Sequence, residues 1–357
     1  MPNALPLLDR ADQAGTPGCS DPTQTPSRRR ILVTGGAGFI GSHTAIALMR
    51  AGNDVIVVDE MNDYYDISIK EDNVRLLEQA AQRPGQFVFH RGDVADRAFM
   101  ERLLVTENVE IVIHLAARAG VRASIENPDI YVHSNVHGTT VLFDLAHKYK
   151  HQIKHVIYAS SSSVYGGNVK VPYSESDRTD DAVSPYAATK KACEVMAASY
   201  ANMFQIYLTG LRFFTVYGPR GRPDMAPFKF VDRVASGKPI DKYGDGSSSR
   251  DYTYIDDIVQ GILACLDRPQ RFPHVHHTIY NLGNSSPISL NDFIALVERV
   301  VGRKALIRQL PEQTGDMKCT FADVDKAKSE LGYEPHTSLE AGLKHLYAWW
   351  VQKYGRN

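Results

Sequence analysis

Two side chains spaced for proton transfer stand in "SPYAATKKACEVM": Tyr186 and Lys190 are four residues apart and share one face if the segment is helical. A phenol ordinarily titrates near about 10, so one that takes a proton near neutrality needs a cation beside its oxygen, and a lysine one turn along supplies it. Upstream, "HVIYASSSSVYGG" runs an apolar strand straight into Ser160, Ser161, Ser162 and Ser163, with no acidic residue following. Hydroxyls at a strand end either cap the backbone or donate hydrogen bonds to a ligand. Donation to an anionic ligand is the stronger kind.

A second constellation lies near the start of the ordered pattern. "VTGGAGFIG" sets Gly35, Gly38 and Gly41 at G-x-x-G-x-x-G spacing, after a strand and opening a helix at Phe39 and Ile40. In that context the first glycine permits a tight turn, the second lets the backbone approach a pyrophosphate, and the third lets helix and strand pack closely. The second apolar strand ends at Asp59, where a carboxylate binds the hydroxyls of an adenosine ribose. Asp59 and Glu60 would repel a 2′-phosphate, and no arginine follows closely, so the pattern favours NAD over NADP. "GDV" places Asp93 and Val94 at a third strand end, facing the adenine. "LAA" offers Leu115, Ala116 and Ala117 where a strand end must lie against a cofactor.

These residues need elements to position them. "ILVTGG", "DVIVVDE", "FVFHRGD", "IVIHLAA", "HVIYASS", "IYLTGLRF" and "TIYNLG" read as buried strands, and helical stretches at 98–106, 134–149, 185–204 and 289–301 separate most of them. Strands alternating with helices predict a Rossmann-type, doubly wound parallel α/β sheet, with ligands outside the carboxyl ends of its strands. Residues 1–29 read as a disordered tail, and the arginine run where it ends, Arg28 to Arg30, as a solvated linker. Residues 30–212 form the dinucleotide-binding domain. Residues 213–357, loop-rich with short helices and turns, form a smaller substrate lobe from which some segments return to the sheet.

Composition narrows the function classes. The 357 residues carry 40 Lys+Arg against 41 Asp+Glu, a net charge of −1, which gives no basic excess for nucleic acid. Four cysteines, Cys19, Cys193, Cys265 and Cys319, have no metal-ligand spacing and read as reduced thiols. The histidine-rich "HVHH" at 274–277 lacks partners for a metal. No apolar run reaches the length of a membrane span and no signal segment is visible, so a cytoplasmic protein is expected.

Taken together, the glycine cradle, "HLAA", "SSSVYG", "SPYAATK" and "RDYTYIDD" resemble the extended short-chain dehydrogenase/reductase family of nucleotide-sugar epimerases and dehydratases, over about residues 30 to 350. Within it, "NDYYD", "AARAGVRASIENP" and "LRFFTVYGPRGRPDMAPFKF" look like the UDP-glucuronate 4-epimerases. The resemblance implies that Tyr186 is the base, Lys190 its cation and the ribose ligand, and Ser161 the hydroxyl beside the sugar O4. Ser162, Ser163 and Thr215 would hold the sugar carboxylate, where an acid would repel it. The resemblance further places Arg250, with Arg222 nearby, on the UDP diphosphate, Asp316 on the uridine ribose, and Tyr243 either on the uracil or in the core. Arg118 or Arg122 approaches the sugar or the diphosphate. It also implies a homodimer through the helices near 134–149 and 185–204. Alternatives are a 4-epimerase of a neutral UDP-hexose, a UDP-glucuronate decarboxylase, and a non-catalytic NAD-binding regulator.

Overall fold

Apolar runs that do not alternate must be covered on both faces. In the computed structural model, which describes residues 28–312 and 318–355, all seven strand readings fall in one parallel sheet. They are β1 (Arg30–Thr34), β2 (Asp54–Asp59), β3 (Phe87–Arg91), β4 (Ile111–His114), β5 (His155–Ser161), β6 (Leu208–Phe213) and β10 (His277–Leu282), in the spatial order β10-β6-β5-β4-β1-β2-β3. Ile31 and Val33 of β1 pack into one core cluster and Leu32 into the other, so the strand is buried from both sides. The strand order reverses between β1 and β4, which opens a crevice at their carboxyl ends.

The helices Arg97–Thr106, Pro185–Phe204 and Leu290–Val301 match the sequence readings closely. The stretch read as one helix from 134 begins instead as a π-helical turn, Val132–His137, and becomes α-helical over Gly138–Lys148. Inside that wide turn Asn135 clamps a neighbouring loop: its Oδ1 accepts from the Arg118 backbone N–H at 2.8 Å and its Nδ2 donates to the Arg118 carbonyl at 3.0 Å.

Past Phe213 the structure holds longer helices than the sequence suggested, including Ala226–Ala235, Ile255–Ala264 and Leu339–Tyr354. Glycine and proline between them masked their periodicity. Ile255–Ala264 packs on the helix Phe39–Arg50, and the same stretch of chain supplies β10 to the sheet edge. A second sheet gathers β7 (Thr215–Tyr217), β9 (Ser249–Tyr254), β11 (Pro287–Ser289) and β13 (Cys319–Thr320); β8 (Ile240–Tyr243) pairs with β12 (Ile307–Leu310). Arg28 and Arg30 are not merely solvated. Arg28 pairs with Asp54 at 2.6 Å and Arg30 with Glu107 at 2.6 Å, which fastens the chain at the entry to β1. Residues 1–27, most of the expected tail, lie outside the described residues.

Candidate active site

The turn after β1 is shaped by its glycines. Gly35 has φ +66°, and a Cβ there would stand 2.8 Å from the backbone of Ala116 at the end of β4. A Cβ on Gly41 would meet the Gly35 carbonyl at 2.2 Å, so the third glycine closes the turn on itself rather than against the strand. Gly38, the N-cap of the Phe39–Arg50 helix, brings no side chain to cap it, and the helix N-terminus opens into the crevice. Such an end receives an anion, and the bare backbone leaves room for a diphosphate to approach. Asn73 supports the turn from behind, its Nδ2 donating to the Ala37 carbonyl at 2.8 Å. This cradle fits a dinucleotide.

Asp59 ends β2 within the crevice but is not alone. Lys70, from the helix Ile67–Ala80, lies 3.3 Å from its carboxylate, with both side chains about 5% exposed. Arg118 pairs with Glu60 at 2.8 Å. The repulsion expected against a 2′-phosphate is therefore largely cancelled by adjacent cations, and NAD must be favoured on other grounds. Asp93 accepts from the Ala95 N–H at 2.9 Å and meets the His133 ring at 2.8 Å. Burial pushes its carboxyl up, but these partners outweigh it and hold the carboxyl below its usual range. Val94, Leu115, Ala116 and Ala117 line the same wall. His114 sits beneath, bridging Thr34 at 2.7 Å and Thr139 at 3.0 Å; burial, then the Lys190 charge, lower it to about 3, so the ring is neutral.

The other end of the crevice is built by β5 and the helix Pro185–Phe204. Ser184 caps that helix by accepting from the Ala187 N–H. The Tyr186 N–H donates to the Ser124 hydroxyl at 3.1 Å, and its ring meets Tyr131 edge-on at 6.2 Å. Lys190 donates from Nζ to the Ala159 carbonyl at 2.8 Å. Ser161 accepts from the Ser163 N–H at 3.2 Å, capping the 3-10 turn Ser162–Tyr165, and its hydroxyl also lies 3.2 Å from that of Ser163. Capping and ligand binding are thus compatible for Ser161, which lines the crevice together with Ser162, Ser163, Tyr186, Lys190, Thr215 and Arg222. Arg222 is held by Asp224 and donates to the Ala119 carbonyl at 3.1 Å. Burial weakens its charge, but Asp224 outweighs that and raises the guanidinium above its ordinary value.

Not every expected residue comes to the crevice. Arg250, on β9, donates to the Ser249 carbonyl at 2.9 Å and lies outside the lining. Tyr243 ends β8, also outside it, with the Arg122 guanidinium 5.6 Å above its ring. That separates the two arginines: Arg118 lines the crevice and Arg122 does not. Asp316 lies outside the described residues. Sequence reasoning missed Lys70, Arg118's pairing with Glu60, and Asn73. A charged and an amide residue on the apolar face Ile69, Lys70, Asn73, Leu77 was the available signal for two of them.

A doubly wound sheet with a glycine cradle at its switch point, and a tyrosine–lysine pair beside it, defines a dinucleotide-dependent enzyme of the Rossmann class. The family model "NAD dependent epimerase/dehydratase family" matches residues 31–283, and the chain belongs to that family. It is 42% identical over 341 residues to a probable UDP-glucuronate 4-epimerase of Rhizobium meliloti, covering 92% of this chain and 98% of the relative. It is 45% identical over 337 residues to UDP-glucuronate 4-epimerase 3 of Arabidopsis thaliana, covering 91% and 77%. Among solved structures, the Bacillus cereus UDP-glucuronic acid 4-epimerase in complex with UDP-glucuronic acid and NAD superimposes with a TM-score of 0.83 at 34% identity, covering 91% of this chain and 100% of that one.

Proposed function

We propose that the protein is an NAD-dependent isomerase that interconverts UDP-glucuronate and UDP-galacturonate at C4 through a 4-keto intermediate. The observation that carries the substrate is the sugar end of the crevice. There Tyr186 and Lys190 stand with four neutral hydroxyl side chains, Ser161, Ser162, Ser163 and Thr215, while the acids lining the crevice among the described residues, Asp59, Glu60 and Asp93, belong to the ends of β2 and β3. A carboxylated sugar is gripped by such donors and repelled by an acid. The identities to UDP-glucuronate 4-epimerases support the same reading.

The cradle of Gly35, Gly38 and Gly41, with Phe39 and Ile40 at the helix N-terminus, would hold the diphosphate of NAD, and Asp59 with Lys70 its adenosine ribose. A bound NAD would supply a reversible hydride acceptor for C4. Tyr186 takes the O4 proton, Lys190 stabilises the phenolate and Ser161 orients the hydroxyl. Ser162, Ser163 and Thr215 hold the carboxylate of the β-keto acid out of alignment with the ketone, which prevents loss of carbon dioxide. Arg250 and Arg222 would bind the UDP diphosphate, with Tyr243 and Asp316 serving the nucleotide end. We also read the protein as a cytoplasmic homodimer. Exposed Val132, Val195 and Met203 on the segments 132–148 and 185–204 support the dimer, and among the described residues no helix is long and apolar enough to cross a membrane.

The deciding experiment is product analysis after incubation with UDP-glucuronate. UDP-galacturonate is expected; a preponderance of UDP-pentose would refute the reading of the serines.

A further inference from the structure

Ser160, the first of the four serines, is buried and gives its hydroxyl to the protein interior. Its hydroxyl donates to Glu194 Oε1 at 2.6 Å. Glu194 lies one helical turn after Lys190 and is fully enclosed, and Arg212 meets it with both arms of the guanidinium, Nε to Oε1 at 2.8 Å and Nη2 to Oε2 at 2.9 Å. Arg212 also donates to the Tyr165 hydroxyl at 3.0 Å, its charge 4.8 Å from that ring, and the Tyr165 hydroxyl donates onward to Asn281 at 2.7 Å. Lys191 reaches the same carboxylate at 3.7 Å. Burial alone would push the Glu194 carboxyl up; Arg212 and Ser160 outweigh it and keep it ionised.

Three separate elements meet at this pair. Ser160 is on β5 next to Ser161, Glu194 is on the helix of Tyr186 and Lys190, and Arg212 is on β6, three residues before Thr215. A buried ion pair is weak evidence for stability, because its desolvation offsets its attraction, but its geometry is demanding. We propose that Glu194, Arg212 and Ser160 are positioning residues that fix the register of the helix carrying Tyr186 and Lys190 against the strand end carrying Ser161. The inference rests on the epimerase reading of the crevice and adds residues that act through their hydrogen bonds to one another.

The test compares Ser160→Ala, Glu194→Gln and the double variant Glu194→Leu/Arg212→Met with the parent, using UDP-glucuronate turnover, NAD occupancy and thermal unfolding. Each variant should lose kcat, by on the order of 10²-fold for the Glu194 variants and roughly tenfold for Ser160→Ala, with KM and NAD occupancy nearly unchanged. The double variant should recover the unfolding temperature but not kcat, since apolar replacements stabilise as well as a buried pair does. Parental kcat in a stable double variant would overturn the proposal. Should that variant not fold, parental kcat in Ser160→Ala overturns it equally. If the parent itself converts no UDP-glucuronate, the functional reading fails by itself. A crystal structure of Ser160→Ala then decides the positioning: displacement of Lys190 Nζ from the Ala159 carbonyl by about 0.5 Å or more is expected, and an unmoved helix overturns it.

Discussion

Lys190 donates to the carbonyl of Ala159 at 2.8 Å, so the cation of the tyrosine–lysine pair is fastened to the strand that delivers the serines. Lys190 is only 4% exposed. The helix Pro185–Phe204 and the end of β5 are thereby joined by a hydrogen bond from a buried side chain.

Removing either member of the pair should stop turnover without unfolding the protein. Tyr186→Phe and Lys190→Met should each lose about 10²- to 10⁴-fold in kcat for UDP-glucuronate. Steady-state kinetics beside a circular-dichroism melt checks this. Unchanged turnover in Tyr186→Phe would restore the reading of a non-catalytic NAD-binding regulator.

The Asp59–Lys70 contact at 3.3 Å predicts a change of cofactor preference. With Asp59→Ser, Lys70 loses its ion-pair partner, and at the proposed ribose site its charge would then favour a 2′-phosphate. Affinity for NADP relative to NAD should rise tenfold or more, about 1.4 kcal/mol. Titration calorimetry on apoprotein with each dinucleotide reads it directly; an unaltered ratio would contradict the placement.

Placing a carboxylate among the hydroxyls should reverse the sugar preference. Ser163→Asp should raise KM for UDP-glucuronate by about 10²-fold while affecting UDP-glucose far less, because two like charges would share a partly dry site. Competition assays with both sugars settle the comparison.

Buried neutral histidines should make the fold acid-sensitive. Burial lowers His43, His114 and His155 to about 3, well under their ordinary 6.5. The unfolded chain then binds protons that the folded one refuses. Stability is complete above about 6.5 and falls as pH drops toward 3, with a slope of about 1.4 kcal/mol per pH unit for each histidine. His114→Gln keeps a donor and an acceptor between Thr34 and Thr139 and should remove close to one proton from that slope, measured by urea unfolding at pH 4 to 7.

How much of this was legible in the sequence depends on the range of the interaction. The seven sheet strands could be read because parallel strands, covered on both faces, are continuous apolar runs. The glycine cradle could be read because three glycines at fixed spacing encode one turn. Helices after Phe213 were obscured by intervening glycine and proline, and their apolar faces make sense only against the partners they cover, as Ile255–Ala264 does against Phe39–Arg50.

The sequence by itself determined the fold class, the cradle, the tyrosine–lysine spacing and the row of hydroxyls, since each is set by backbone periodicity over a few residues. Tertiary structure alone decided which serine gives its hydroxyl to Glu194, that Asp59 shares its site with Lys70, and that Arg118 rather than Arg122 enters the crevice. Those outcomes depend on the order in which strands lie side by side, which brings distant segments together through space and leaves no local pattern in the chain.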